Sequence, residues 1–124
     1  MAGLQTHTPI PSELRLRAGG RSLIVAFPET GEAELSAELL RVYSPSAEVR
    51  GHGKGNEVLQ LDKERVCITG LEPVGNYAVK LIFSDGHDSG LYSWDILFEF
   101  ASKGPELWQS YLQRLKEAGH QRKV

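Results

Sequence analysis

"VAFPETGEAELSAELL" (residues 25–40) and "LIFSDGHDSGLYSWDILF" (residues 81–98) share one grammar. Each begins as an apolar strand ending in Phe27 or Phe83. An acidic polar turn follows, then a short segment containing Leu35 or Leu91. Each then has a serine suited to cap a helix (Ser36, Ser93), an acidic residue two places on (Glu38, Asp95) and a pair of apolar residues. The offset is 56 residues up to the leucines and 57 from the serines onward, so one residue is inserted in between. One physical unit explains the pattern: a hairpin whose last strand feeds a helix that folds back on the sheet. The fold class expected is α+β, a two-layer domain with a mostly antiparallel sheet, an internal ββα repeat and helices packed on one side.

Working outward, "ELRLR" (13–17) alternates charge and leucine, as a strand with one wet face does. The glycines of Ala18-Gly19-Gly20-Arg21 suit a tight turn into the return strand "SLIVAF" (22–27). Further strands are expected at 33–35, 57–61 ("EVLQL"), 65–73 ("RVCITGLEP") and 77–83 ("YAVKLIF"), the last with Tyr77, Val79, Leu81 and Phe83 on one face. Helices are expected at 37–43 and 94–102. A third, at 105–118, would open at Gly104-Pro105, with Leu107, Trp108, Tyr111, Leu112 and Leu115 as its apolar stripe. The chain thus divides into a lead-in (1–12), a domain (13–102), an amphipathic helix (103–120) and a short tail (121–124).

Composition bounds the function. A chain of 124 residues with 40% apolar content fits one folded domain. Fourteen basic against sixteen acidic residues, net −2, lack the cationic footprint of a nucleic-acid binder. The basic end "RLKEAGHQRKV" reads as solvated. The longest apolar runs are far shorter than the roughly 20 residues of a membrane span. One cysteine, Cys67, excludes an internal disulfide and favours a reducing compartment; no secretory signal precedes the domain. A cytoplasmic protein is expected, with Cys67 as a small buried thiol.

"LRVYSPSAEVRGH" (40–52), "EPVGNYAVKLIFSDGHDSGLYSWDIL" (72–97) and "LRLRAGGRSLIVAF" (14–27) occur in an order that resembles the gamma-butyrobetaine hydroxylase-like N-terminal domain family, over roughly residues 13–101. The resemblance implies a compact α+β domain. Similar domains are fused to 2-oxoglutarate- and iron-dependent carnitine-synthesis hydroxylases and to a scaffold ATPase for iron–sulfur assembly. Stand-alone bacterial members have no assigned biochemistry. The hydroxylases' oxygenase domain is one this chain is too short to contain. The resemblance further implies a structural zinc held by three cysteines after a Leu-Arg pair and by the histidine of an Asp-Gly-His turn. Here Leu40-Arg41 is followed by Ser44, Ser46 and Val49 at the cysteine positions, and His87 matches the histidine. Structural zinc wants four nitrogen or sulfur donors, so this set fits it poorly.

The remaining chemistries are weighed on their residues. His87 lies between Asp85 and Asp88 and reads either as a turn residue or as a metal anchor completed by His52, Cys67 or carboxylates. "GHGKGNE" (51–57) lacks the spacing and the hydroxyl of a phosphate loop. Ser44 and Ser46 near His52 lack a nucleophile elbow, and cap residues explain them better. The carboxylate pairs Asp85/Asp88 and Glu29/Glu32 sit in polar turns without the desolvation an acid–base pair needs. Tyr92 and Trp94 read as core or as an aromatic partner surface.

The first expectation is therefore a non-enzymatic accessory or interaction domain, with a protein partner and no cofactor. Its working surface would comprise segments 44–55 and 84–89, with Arg41, Ser44, Ser46, His52, Asp85, His87, Tyr92 and Trp94. There Ser44 and Ser46 would hydrogen-bond backbone and His87 in place of a metal. The second is a metal-ion-binding module of iron or iron–sulfur metabolism, binding zinc or iron at His87.

Overall fold

The computed structural model describes residues 9–46, 49 and 58–122. Its elements run β1 (Glu13–Arg17), β2 (Ser22–Phe27), β3 (Gly31–Ser36), α1 (Ala37–Val42), β4 (Ile68–Val74), β5 (Ala78–Phe83), β6 (Leu91–Ser93) and α2 (Trp94–Glu117). The fold is α+β. The strands form two antiparallel three-stranded sheets, β1-β2-β3 and β4-β5-β6, rather than the single sheet expected. Each sheet's last strand runs straight into a helix, so each is a self-contained strand–strand–strand–helix unit.

The register shows how closely the units correspond. Ser22 pairs with Ser36 and Leu23 with Leu35; Ala78 pairs with Ser93 and Val79 with Tyr92. The structural counterpart of Leu35 is thus Tyr92 and not Leu91, which is exposed while Leu35 and Tyr92 are buried. The extra residue of the second unit falls in its 84–90 connection. The residue before each middle strand also accepts from the first amide of the following helix: Ala37 N donates to Arg21 O at 2.8 Å, and Trp94 N to Tyr77 O at 3.1 Å. The caps differ. Ser36 Oγ accepts from Leu39 N at 3.0 Å, whereas the Ser93 hydroxyl donates to the Asp95 carboxylate.

The two sheets share one core. Leu23, Val25 and Phe27 of β2 cluster with Val79, Leu81 and Phe83 of β5 and with Ile96, Leu97 and Phe100 of α2. Phe98 of α2 meets Phe27 of the first sheet edge to face, centroids 5.3 Å apart. The Gly20 turn abuts β4: a Cβ on Gly20 would run into the Ile68 carbonyl, and its φ of 88° also requires glycine. Side chains, not shared ladder bonds, therefore unite the halves.

Several local expectations change. Residues 58–61 are not a strand, and Glu57 lies outside the described residues. Tyr77 belongs to the turn before β5 and is exposed. Leu16 is exposed, so β1 buries little. Cys67 precedes β4 and is only half-buried. Among the described residues, no helix is long and apolar enough to cross a membrane.

Helices expected at 94–102 and 105–118 are one 24-residue helix with Pro105 inside it. Proline removes the amide that would bond the Ala101 carbonyl. Apolar burial on both sides outweighs that loss: Ile96, Leu97 and Phe100 before it, Tyr111 and Leu115 after it. Buried Gly104 brings this stretch against α1, where its Cβ position lies 3.8 Å from Leu39 Cδ2. Pro105→Ala should restore the helical bond and raise stability by about 1 kcal/mol or more, read as an increased denaturant midpoint. A helix that began at Pro105 would gain nothing.

Candidate functional site

The 84–90 connection folds over the end of α1. Gly86, with φ 90°, bends it. Phe83 N donates to His87 O at 3.0 Å, and Ser84 N to Cys67 O at 2.8 Å, which fastens the turn to its own sheet. Asp85 Oδ1 accepts from His87 N at 3.1 Å, a local bond typical of aspartate in turns. The His87 side chain is thereby directed inward.

His87 Nε2 lies 2.8 Å from Ser44 Oγ and 3.3 Å from Ser46 Oγ. The two hydroxyls are 3.3 Å apart, and Ser46 N donates to Ser44 Oγ at 3.3 Å. Ser44 is wholly buried; Ser46 and His87 are nearly so. Gly90 closes the cluster, because any side chain there would collide with Ser44 Oγ and approach Pro45. Two further bonds bind the same parts. The Tyr92 hydroxyl donates to Leu40 O, and Arg41 Nε donates to Asp85 Oδ2 at 2.8 Å. Lys63 Nζ adds a second cationic contact to Asp85 Oδ2 at 2.7 Å. Burial opposes ionisation of Asp85, but Lys63, the His87 amide and Arg41 together hold its pKa down at about 2.

The Ser44–His87 separation would suit a nucleophile and its base. Full burial of Ser44 denies it a substrate, and Asp85 directs its carboxylate to Arg41, Lys63 and the His87 backbone. The fit to zinc fails as well. Val49 is buried without a donor atom, and the imidazole nitrogen that would face a metal is within hydrogen-bond reach of two hydroxyls. The arrangement is a polar clamp: the second unit's turn grips the end of the first unit's helix.

Of the residues singled out from the sequence, Ser44, Ser46, Val49, His87, Arg41, Asp85 and Tyr92 belong to this region. Arg41, Ser44, Ser46, His87 and Tyr92 are buried, so they support a surface and do not form one. Trp94 is half-buried and donates through Nε1 to Asn76 O at 2.8 Å, in the β4–β5 turn. His52 lies outside the described residues. Lys63 and Gly90 were missed, since nothing local marks a loop lysine or glycine as a long-range partner.

A second polar cluster was also missed. Glu38, expected only to suit the helix dipole, is buried. It accepts from Tyr111 Oη at 2.7 Å and from Arg122 Nε at 2.8 Å, with Arg122 Nη2 at 2.5 Å. Arg122 also stacks over Trp108, 5.1 Å from the ring centroid, so this part of the expected tail is engaged. Burial and the Glu38 carboxylate push the Tyr111 phenol well above its usual pKa.

Two outcomes follow from the clamp. Ser44→Ala leaves polar partners in a buried site and should cost about 1–3 kcal/mol in chemical denaturation. Because the folded-state pKa of Asp85 is depressed from 3.8, its contribution is complete above the unfolded value and is lost as pH falls through about 2. Asp85→Asn should therefore flatten the decline in stability between about pH 4 and 2; an unchanged slope counts against the ion pairs.

The model of the family described as "Gamma-butyrobetaine hydroxylase-like, N-terminal" matches residues 14–98. The chain is similar to a protein solved by NMR in solution, with 51% identity, TM-score 0.80, and coverage of 97% of this chain and 89% of the other. A second NMR structure shows 48% identity, TM-score 0.81, and coverage of 94% and 91%. A crystal structure of a protein of unknown function from Acidithiobacillus ferrooxidans, of the DUF971 family, shows 34% identity, TM-score 0.58, and coverage of 71% and 88%. No curated protein matches. With a family model spanning most of the domain and a shared fold at this identity, the chain belongs to the gamma-butyrobetaine hydroxylase-like N-terminal domain family.

Proposed function

We propose that this domain is a non-catalytic interaction module that presents its 84–89 turn to a protein partner. One observation carries the reading. The serine–histidine cluster is buried and bonded within itself, while the turn it supports exposes Ser84, Asp85, Gly86, Asp88 and Ser89. Such a clamp holds an exposed loop in one shape and so lowers the ordering cost of binding. The exposed Leu91 adjoins the turn and offers apolar area beside its polar groups. The partner surface would supply donors or a cation opposite Asp88. The near-neutral charge favours protein over nucleic acid. The single thiol favours the cytoplasm as the place of action.

The test is affinity capture from the native host with wild type and Asp88→Lys, each first shown folded by its amide NMR spectrum. Partners retained by wild type and lost by the variant support the reading; identical sets refute it. Elemental analysis of untagged protein addresses the alternative. A stoichiometric metal that disappears in His87→Ala would replace this reading with a metal-ion module of iron or iron–sulfur metabolism.

A further inference from the structure

Away from the clamp, the loop before β4 meets the end of the chain. Asp62, Glu64 and His120 each offer a ligand atom there, and these atoms all lie within 4.8 Å of one another. They come from separate parts of the fold. Asp62 and Glu64 precede β4, while His120 follows α2. Gly119, with φ 73°, turns the chain off the helix, and His120 N donates to Leu115 O at 2.9 Å, which fixes the backbone that carries the imidazole.

The Nε2 atom of His120 is buried and makes no hydrogen bond among the described residues. Buried polar atoms are nearly always bonded, so an orphan invites a ligand. Asp62 Oδ1 stands 3.6 Å from it, too far for a hydrogen bond. The spacing suits a shared ion instead: donors each about 2.1 Å from a tetrahedral metal sit about 3.4 Å apart. Asp62 is mostly exposed, which gives an ion a way in from solvent.

We propose that Asp62, Glu64 and His120 form a site for a divalent transition-metal ion of the zinc or manganese type. Two carboxylates balance its charge, one neutral imidazole adds a nitrogen donor, and water completes the coordination. The site is distinct from the His87 position and uses none of its residues. A bound ion would pin the loop before β4 to the end of α2.

The test uses untagged full-length protein, stripped with chelator and titrated with zinc chloride or manganese chloride while amide NMR signals are followed. Saturable binding is expected, with manganese broadening centred on residues 62–64 and 119–121. His120→Ala and, separately, Asp62→Asn should each weaken zinc binding at least about tenfold. Asp62 is exposed, so its variant keeps the test valid if the histidine variant unfolds. Absence of saturable binding, broadening centred on the 84–89 turn, or unchanged affinity in Asp62→Asn would overturn the assignment.

Discussion

The orientation of one half of this molecule against the other depends on how the 84–90 turn holds the end of α1. Three contacts converge there: His87 to the serine pair, Asp85 to Arg41, and the Tyr92 hydroxyl to Leu40 O. Each joins a residue of the second unit to one of the first. Because the sheets share no ladder bonds, these contacts and the common apolar core set the relative placement of the halves. The core contributes non-directional attraction. The clamp contributes direction, since a buried imidazole and buried hydroxyls are satisfied in few geometries.

The clamp joins by hydrogen bonds the segments that the family resemblance would link through a metal. Coordination gathers ligands by strong bonds to one centre, whereas here hydroxyl protons and an imidazole nitrogen gather one another. Gly90 keeps the space tight around Ser44.

The strand–strand–helix grammar was legible in the sequence because it is written in local signals. Phe27 and Phe83 end strands, Ser36 and Ser93 begin helices, and the one-residue offset lies in the connection between them. The approach of Ser44 and Ser46 to His87 was expected from the resemblance and is what the geometry shows, whereas their burial was not, since all three were expected on a working surface. What could not be read depends on tertiary burial. Gly104-Pro105 carries the signature of a helix start, yet burial on both flanks carries α2 through it. Leu91 outranks Tyr92 as an apolar residue, yet strand register sends Tyr92 inward. Glu38 and Arg122 lie 84 positions apart, and no local pattern links them.

That separation has a consequence for synthesis. The first unit finishes its own strands and helix by Val42, but Glu38 is buried there and meets Tyr111 and Arg122 only when residues 73 and 84 positions later have emerged. Phe27 likewise waits for Phe98. A nascent chain therefore holds an acidic group that cannot be sealed in until its far end arrives, and an interrupted chain would expose that unfinished face to the quality-control machinery of the cell.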